Sequence, residues 1–501
     1  MTRWAWVIDQ TRCIGCHACT TACKSENEVP VGVFRTWVKN VEVGTYPAVK
    51  RHFAVLRCNH CEEPPCVDVC PVTAMYQRPD GLVDFDHDAC IGCKACMQAC
   101  PYDAIYMDPE SHTAAKCNFC SHRVDEGLLP ACVVVCPEEA LLFGDLDDPT
   151  SKVRRALGDH ATTVRRPEQG TRPQAYYIGA HSATLDPLAA RHDAAYMWSE
   201  RGADDHRDLV SLARRAAAQE PARVAYDVPR RRVWDWPVSS YIWTKGVAAG
   251  LGMLAGLSRA LDFGADRATE IVAPWLALAF LAFTGALLVG DLKRPERFWT
   301  ILTRPQWKSW LARGAVLISA YGAALVAWII LEIAGARGAL TVLAPIAVVL
   351  AALTAVYTAW LLGQCEGRDL WQSRLLVPHL LLHALGAGAA VLMLVVAVRG
   401  GTITTALRVA FLAGVVGTGL LALADVYRRH HTANGAAAAR ALARGSQARL
   451  FWAALAIGVL LPIVLVFAGT VGGVAAAVLA LAGWWLHGHA FILAGQGPPI
   501  S

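Results

Sequence analysis

Most of this chain is almost without cysteine, and its first half is without long apolar runs. Of 17 cysteines in 501 residues, only Cys365 lies outside the segment from Cys13 to Cys136. A metal site that needs several cysteines is therefore excluded from the second half. No apolar stretch long enough to cross a bilayer occurs before about residue 235, which excludes membrane spans from the first half.

Charge is also sparse. The net charge is only +5, and 17% of the residues are charged. No stretch interleaves basic and aromatic residues as a nucleic-acid module does, so we expect no nucleic-acid binding. The segment Met1–Asp9 has neither an apolar core nor a twin-arginine pair. An export signal needs an apolar core, and the twin-arginine route also needs the arginine pair, so we expect no export signal at this end.

Sixteen cysteines form four sets of four with short spacings. The first and third sets read C-x2-C-x2-C-x3-C, while the second and fourth have middle gaps of four and eleven residues. The sets are Cys13, Cys16, Cys19 and Cys23; Cys58, Cys61, Cys66 and Cys70; Cys90, Cys93, Cys96 and Cys100; and Cys117, Cys120, Cys132 and Cys136. Proline follows the last cysteine of three sets, and Lys24 takes that place in the first.

This spacing is typical of ferredoxin ligand loops. Three thiolates within a few residues can wrap one cubane face, and in two-cluster ferredoxins the fourth cysteine binds the other cluster. Zinc sites and a secreted disulfide framework are alternatives, but four such runs favour clusters over both. No set lacks a cysteine, so the sequence predicts four [4Fe–4S] clusters with all sixteen cysteines as metal ligands.

Short strand-like segments flank the ligand loops. They are Trp4–Ile8, Phe53–Leu56, Leu82–Phe85, Ala104–Met107 and Ala140–Phe143, and Ala175–Ile178 is expected to add a last strand. This pattern predicts an α+β, duplicated bacterial ferredoxin-like domain over residues 1–180. Residues 181–235 carry no cysteine and mix charges with short apolar pieces, so we interpret them as a linker.

Residues 236–501 are dominated by apolar runs of membrane-spanning length. There are eight, at about 237–257, 271–290, 312–333, 340–362, 376–398, 405–424, 450–469 and 474–494. The sequence therefore predicts an all-α transmembrane domain of eight helices.

The lysines and arginines of the loops predict the orientation of that domain. With eight crossings, both ends and the even-numbered loops share one side, which carries 17 basic residues against 5 on the other. Because basic loops stay in the cytoplasm, we expect the iron–sulfur domain to face the cytoplasm from the inner membrane.

Polar groups in membrane segments are costly and often functional, so they suggest a quinone pocket. Quinone reduction needs two protons as well as two electrons. Lys245, Asp291 and His379 could pass protons, and Tyr241 could bind a quinone carbonyl. Interfacial ion pairs or helix packing are alternative roles for each. No haem is expected, because His379 and His383 share one helix face, although His383 with His487 is a conceivable axial pair.

The chain resembles two known proteins joined end to end. Residues 1 to about 180 resemble the four-cluster subunit of the DMSO reductase superfamily, in all four cysteine sets and in the run Arg166–Pro173. Residues from about 235 to 501 resemble the NrfD-like polysulfide reductase membrane subunit. The runs that carry this second resemblance are Asp291–Arg297, Gly367–Ser373 and Ala494–Ser501.

The resemblance implies a quinone-reactive anchor without haem, connected through the clusters to a separate molybdenum or tungsten bis-pterin subunit. It also implies how the sets interleave. The first three cysteines of each set join the last cysteine of another: Cys13, Cys16 and Cys19 with Cys136; Cys117, Cys120 and Cys132 with Cys23; Cys58, Cys61 and Cys66 with Cys100; and Cys90, Cys93 and Cys96 with Cys70. Fusion of the two subunits and cytoplasmic clusters depart from the polysulfide reductase pattern.

These observations predict an electron-transfer and membrane-anchor subunit of a respiratory complex. It would relay electrons between the pterin partner and membrane menaquinone or ubiquinone. Because no pterin or primary-substrate site is recognisable, we expect no catalytic residue for the primary substrate, and at most the quinone half of the reaction. Alternatives are a larger quinone-linked complex without molybdenum, or a purely structural anchor.

Overall fold

A computed structural model of the chain describes residues 2–45, 47–191, 222–229, 232–261 and 267–501. It divides into two compact units, Met1–Arg231 with Pro499–Ser501, and Arg232–Pro498. Much of the predicted linker, 181–235, lies outside the described residues.

All described strands belong to the first unit. They are β1 Trp4–Asp9, β2 Thr36–Thr45, β3 Ala48–Arg57, β4 Met75–Gln77, β5 Val83–Phe85, β6 Ile105–Met107, β7 Ala114–Lys116, β8 Leu141–Asp145, β9 Thr162–Thr163, β10 Ala175–Ile178 and β11 Ala222–Tyr226. The strands predicted beside the ligand loops are confirmed as β1, β3, β5, β6, β8 and β10.

The largest sheet has the order β8-β1-β10-β9. Strand β1 runs antiparallel to β8 and parallel to β10, with Trp6 opposite both Phe143 and Ala175. Ala5 and Val7 point to a small apolar core that is closed by Val153. This sheet therefore places strand β1, which precedes the ligand loops, beside strands β8 and β10, which follow them.

A second sheet has the order β11-β2-β3. Its long hairpin pairs Thr36 with Arg57 at one end and Thr45 with Ala48 at the other. Strand β11 pairs with β2 although it lies in the range interpreted as a linker. The remaining pairs, β4 with β5 and β6 with β7, are short antiparallel hairpins, one after the second cysteine set and one after the third.

The helices of the first unit are short. They are α1 Ala18–Glu26, α2 Pro65–Asp68, α3 Ala95–Ala99, α4 Ser121–Val124, α5 Ala131–Val134, α6 Lys152–Asp159 and α7 Ser182–Leu185. The C-terminal residues also pack in this unit. Lys39 Nζ donates to the Ser501 carbonyl at 3.1 Å, and Arg165 donates to the Ile500 carbonyl at 3.1 Å, which gives both buried cations an acceptor.

In its described residues, the second unit consists of helices and the loops that connect them, without strands. Its helices are α8 Trp236–Leu261, α9 Arg267–Gly290, α10 Thr300–Thr303, α11 Trp310–Ile333, α12 Arg337–Gly363, α13 Leu376–Val398, α14 Thr405–Tyr427, α15 Ala433–Ala443, α16 Ala448–Leu455, α17 Leu461–Leu465 and α18 Gly469–Gly495. A π-helical turn, Ala456–Leu460, joins α16 to α17 into one continuous span.

Seven spans in the described residues are long and apolar enough to cross a membrane. They correspond to the second to eighth predicted segments. Helix α8 forms where the first segment was predicted and is long enough, but Lys245, Arg259 and several hydroxyl side chains make it less apolar than the others. A multi-pass membrane protein is therefore shown, while the count of eight crossings stays a prediction.

Helix α8 nevertheless lies in the core of the second unit. Val247, Ala248 and Leu251 on this helix are fully buried. A Cβ atom added to Gly250 would lie 1.8 Å from the Ala384 carbonyl oxygen, and one added to Gly388 would lie 2.3 Å from the Gly250 carbonyl carbon. Glycine is required here because the backbones of α8 and α13 touch, as small residues permit between membrane helices.

Candidate cofactor sites

The ligand loops of the first and third cysteine sets have the same backbone conformation. Gly15 and Gly92, between the first two cysteines of each set, have φ of 71° and 69°. His17 and Lys94, just before the next helix, have φ of 62° and 65°. Left-handed residues at equivalent positions curl each loop so that its cysteines can face one centre. The sequence repeat is thus a structural repeat as well.

The sixteen cysteines come together as four mixed groups rather than as four sequential sets. Cys23 has Cys117, Cys132 and Cys120 as its electrostatic neighbours. Cys13 has Cys136 and Cys16, and Cys19 has Cys132, Cys13 and Cys136. The fourth cysteine of the first set and that of the fourth set have therefore exchanged groups.

The two central sets exchange their last cysteines in the same way. Cys66 has Cys100, Cys58 and Cys61 as neighbours, and Cys96 has Cys93, Cys90 and Cys70. This is the interleaving that the family resemblance implies. Each group draws three sulfurs from one loop and one from a loop distant in sequence.

Two of the groups surround cavities. Cys70, Cys90, Cys93 and Cys96 line one with an empty volume of about 380 Å³. Cys23, Cys117, Cys120 and Cys132 line another of about 260 Å³. In the described part of the chain, no three His, Cys, Asp or Glu side chains converge closely enough for a single metal ion. A four-iron cubane holds its sulfur ligands farther apart than one ion does, so the cavities suit a cubane.

Hydrogen-bond donors point at the cysteine sulfurs. Backbone amides of Met75 and Ala140 lie 3.4 and 3.3 Å from the Sγ atoms of Cys70 and Cys136. The Asn27 side-chain amide lies 3.6 Å from Cys120 Sγ. Such bonds stabilise charge on sulfur and raise the reduction potential of a thiolate-bound cluster.

Arg57 is a buried cation whose surroundings require an anion. Its guanidinium is fully buried, donates to Cys132 Sγ at 3.2 Å and lies 4.2 Å from the Trp6 ring. Its Nε and second terminal nitrogen have no hydrogen-bond partner within the described chain. A buried, uncompensated charge costs several kcal/mol, so thiol groups alone would leave this site unstable. A thiolate-ligated cluster would supply the missing negative charge.

Burial also disfavours free thiolates at these positions. It raises the pKa of the Cys19 thiol to about 11 and the pKa of the Cys117 thiol to about 12. Cysteines must lose their protons to bind metal, so cluster loading would release protons and couple binding to folding.

In the helical unit, the residues that the sequence predicts to bind quinone fall into two neighbouring groups. Tyr241 is buried, with Tyr357, Asp291 and Cys365 as its electrostatic neighbours. Lys245 is fully buried one turn further along α8. Its ammonium donates to the Ala355 carbonyl at 3.2 Å and to the Thr358 hydroxyl, and lies 4.1 Å from the Tyr357 ring centre. Tyr241 and Lys245 thus share Tyr357 as a neighbour, and Asp291 is within electrostatic range of Tyr241.

His379 lies in the second group, in an apolar pocket. Its ring stacks on that of His487, with centroids 5.0 Å apart. Both rings line a pocket with an empty volume of about 580 Å³, together with Asp425 and mainly leucine side chains. Asp425 accepts from Ser373 at 2.5 Å and pairs with Arg428 at 2.9 Å.

His383 lies between the two groups. Its electrostatic neighbours include both His487 and Lys245, and its Nε2 has no hydrogen-bond partner among the described residues. The two groups are therefore adjacent, separated by one histidine on α13.

Comparison with known families assigns both parts of the chain. Residues 226–498 match the family "Polysulphide reductase, NrfD". This match covers more than half of the chain. The chain belongs to the NrfD family. Residues 6–74 and 49–146 each match a family described as "4Fe-4S dicluster domain", so the N-terminal part of this NrfD-family protein is an iron–sulfur domain.

Curated relatives of this NrfD-family protein match its iron–sulfur part. The B subunit of tetrathionate reductase from Salmonella typhimurium is 46% identical over 202 residues, which are 40% of this chain and 80% of that protein. The B subunit of sulfite dehydrogenase from Allochromatium vinosum is 42% identical over 36% of this chain and 83% of its own length. The B component of polysulfide reductase from Wolinella succinogenes is 40% identical over 35% and 94%. The NrfD-family protein thus combines electron transfer with membrane anchoring.

Several residues of these sites were missed by sequence reasoning. Arg57 and Asn27 have no motif of their own, and their approach to sulfur depends on contacts 75 and 93 residues distant in sequence. Asp425 and His487 were visible as polar groups in membrane segments, but nothing local indicated that they share a pocket with His379.

Proposed function

We propose that this protein relays electrons through four [4Fe–4S] clusters between a cytoplasmic molybdenum or tungsten bis-pterin enzyme and membrane quinone. The observation that carries this proposal is the gathering of sixteen cysteines into four mixed groups, with the buried cation Arg57 among them. Each group supplies the four thiolates that one cluster requires.

The four groups form a linear series, which suits a relay. Cys19 of the first group neighbours Cys132 of the second. Cys117 of the second neighbours Cys58 of the third, and Cys96 of the fourth neighbours Cys66 of the third. Four clusters held by these groups would therefore be consecutive stations for single electrons.

The two ends of the series differ in exposure. Cys16 is exposed and Cys13 partly so, whereas the remaining groups are largely buried. Exposed Ile14 and Val134 flank this end. An electron partner can approach this group most closely, so we place the pterin subunit there. The names of the relatives, which are subunits of reductases and a dehydrogenase, support a separate catalytic partner.

The quinone would bind in the pocket of His379, with Tyr241, Lys245 and Asp291 nearby. The pocket is apolar enough for the quinone ring, and the stacked His379 and His487 offer groups that can exchange protons. Reduction of a quinone consumes two protons, and these side chains can deliver them.

We place the iron–sulfur domain in the cytoplasm. This follows from 17 basic residues against 5 in the two sets of loops if α8 crosses the membrane as the eighth span. The core position of Val247 and Leu251 supports a spanning α8.

The test uses the purified full-length chain in detergent with its clusters loaded. A reduced quinol analogue is added, and cluster reduction is followed by absorbance and EPR. The unchanged chain should be reduced, and His379→Asn should slow the rate by about tenfold or more, because one proton-exchanging group is lost. His431→Asn, at an exposed loop histidine, is the matched control and should change nothing.

Two outcomes would contradict the proposal. A chain whose clusters load normally but never exchange electrons with quinol would be only a structural anchor. Equal rates for the unchanged chain, His379→Asn and Lys245→Met would remove the quinone site from these residues.

A further inference from the structure

A basic cavity lies where the chain leaves helix α14 and enters α15. It has an empty volume of about 890 Å³ and is distinct from the pocket of His379. Its lining residues are basic or small, apart from Val426 and Tyr427. The basic ones are Arg428, Arg429, His430, Arg440 and Arg444. None of the lining residues is acidic.

The positive charge of this cavity is mostly uncompensated. Arg428 has an acidic partner, Asp425, at 2.9 Å. In the part of the chain that the structure describes, no carboxylate lies within ion-pair distance of Arg429, Arg440 or Arg444. Four guanidinium groups around one space repel one another, so an anion there would relieve the repulsion.

The cavity is held in shape by contacts outside it. The Thr432 hydroxyl caps α15 by accepting from the Gly435 amide at 3.0 Å, and it donates to the Asp369 carboxylate at 2.6 Å. Arg440 lies in the last turn of α15, and Arg444 directly follows the helix. The two arginines are four residues apart, about one helical turn, and so lie on the same side. The small side chains of Ala436 and Ala439 leave the space between the arginines open.

His430 adds one ring nitrogen without a partner. Its ring lines the cavity, and its Nε2 is buried with no partner within the described chain. The site thus offers several guanidinium forks and one imidazole. Guanidinium groups match the oxygens of phosphate in geometry and charge better than any other side chain.

The position along the chain fits a phosphate at the membrane surface. Helix α14 is one of the seven membrane spans and ends at Tyr427, whose side chain is 60% exposed. Exposed tyrosines are typical of the headgroup level of a bilayer. Basic pockets at this level bind the headgroups of anionic lipids.

We propose that Arg428, Arg429, His430, Arg440 and Arg444 form a binding site for a phosphate group. The anionic headgroup of a membrane phospholipid or free inorganic phosphate can supply this chemistry. The site does not depend on the proposed electron-transfer function, since none of its residues lines the quinone pocket or a cluster cavity.

The experiment measures binding to the full-length, cluster-loaded chain after exchange into neutral detergent. One arm adds cardiolipin in mixed micelles, a second adds phosphatidylcholine, and a third adds inorganic phosphate. Bound lipid is counted by mass spectrometry, and phosphate binding is measured by equilibrium dialysis. Arg440→Gln with Arg444→Gln removes two guanidinium groups, while Arg440→Lys with Arg444→Lys keeps their charge.

Saturable binding of cardiolipin but not phosphatidylcholine identifies a lipid headgroup as the source. Saturable binding of inorganic phosphate alone identifies a soluble ion. In either case the double glutamine variant should bind about tenfold or more weakly, because hydrogen bonds to charged groups are the stronger class. The lysine variant should retain part of the affinity. Arg304→Gln with Arg337→Gln, at two arginines outside this cavity, is the matched control and should bind as the unchanged chain does.

The proposal is overturned if neither cardiolipin nor phosphate binds saturably, or if the double glutamine variant binds with unchanged affinity. If that variant fails to accumulate, Arg429→Gln tests the same site through a single replacement. Unchanged binding by Arg429→Gln and the lysine variant together would equally exclude the site.

Discussion

At the scale of single residues, the iron–sulfur unit depends on buried cations as well as on cysteines. Arg57 contacts Cys132 Sγ and stacks on Trp6, and its main electrostatic neighbours are cysteines of two groups. A fixed positive charge beside a cluster stabilises the reduced, more negative state. Arg57 should therefore hold the potential of the cluster at Cys23, Cys117, Cys120 and Cys132 higher than cysteine ligation alone would.

Replacing Arg57 by Gln removes that charge. We expect the potential of this cluster to fall the most, by roughly 60 mV or more, which is a tenfold change in its one-electron equilibrium. An EPR-monitored redox titration of the full chain measures the shift. Arg57→Lys should restore part of it. Arg78→Gln, which breaks an exposed pair with Asp125, should leave all potentials unchanged. Unchanged potentials in Arg57→Gln would disprove the tuning role.

The cysteine spacing identified all sixteen candidate ligands from the sequence, since each loop needs only local geometry. The sequence could not identify Arg57, because its contact with Cys132 joins residues 75 positions apart. The same holds for His379 and His487, whose stacking depends on the packing of α13 against α18.

At the scale of elements, the first consequence of the fold is that neighbouring cysteines in sequence serve different groups. Cys23 lies at the end of the first set, but the structure places it with Cys117, Cys120 and Cys132. Helix α1 carries both Cys19 and Cys23 as buried residues and so connects two groups.

Cysteine replacements can therefore be sorted by group. Cys23→Ser and Cys120→Ser should alter the same EPR signal and lower the iron content by up to about one quarter, because four clusters share the iron equally. Cys16→Ser should alter a different signal. Cys365→Ser, outside all four sets, should leave iron and EPR signals unchanged. Identical spectral effects of Cys16→Ser and Cys23→Ser would contradict the interleaving.

The second consequence concerns the contact of α8 with α13. The backbones meet at Gly250 and Gly388, with no room for a Cβ atom at either position. Backbone atoms cannot move aside as flexible side chains do, so overpacking here must separate the helices.

Gly250→Ala should therefore destabilise the helical unit by roughly 1–3 kcal/mol or prevent its accumulation. The lowered thermal midpoint of the full chain in detergent measures the effect. Gly285→Ala in α9 is the matched control, because nothing lies within 4 Å of its added Cβ. Alanine also favours helix over glycine, so this control should be neutral or slightly stabilising. Equal stability of the two variants would argue against close packing of α8.

At the scale of the whole molecule, the sequence predicted an iron–sulfur part and a helical part, six of the eleven described strands, and the bounds of the long helices to within about five residues. The predicted run 376–398 is the helix Leu376–Val398, and the predicted strand Ala175–Ile178 is β10. Long apolar runs and alternating segments are local signals, so these predictions needed no tertiary information. Strand β11 could not be foreseen, because its pairing with β2 joins residues about 180 positions apart. Hydropathy alone also could not decide whether α8 crosses the membrane, since Lys245 and other polar residues of this helix are buried within the bundle.

The number of crossings decides where the iron–sulfur unit lies. If α8 spans the membrane, the unit shares a side with the loop that contains Ser446, and the basic loops place both in the cytoplasm. If only seven spans cross, the unit and that loop lie on opposite sides.

Single cysteines at Ala161, Ser446 and Thr402, all exposed, can distinguish these cases through labelling of intact cells by an impermeant maleimide. With eight spans, only Thr402→Cys should react before lysis, while Ala161→Cys and Ser446→Cys should react only afterwards. Labelling of the unchanged chain gives the background from Cys16. Reaction of Ala161→Cys in intact cells would place the clusters outside and overturn the cytoplasmic assignment.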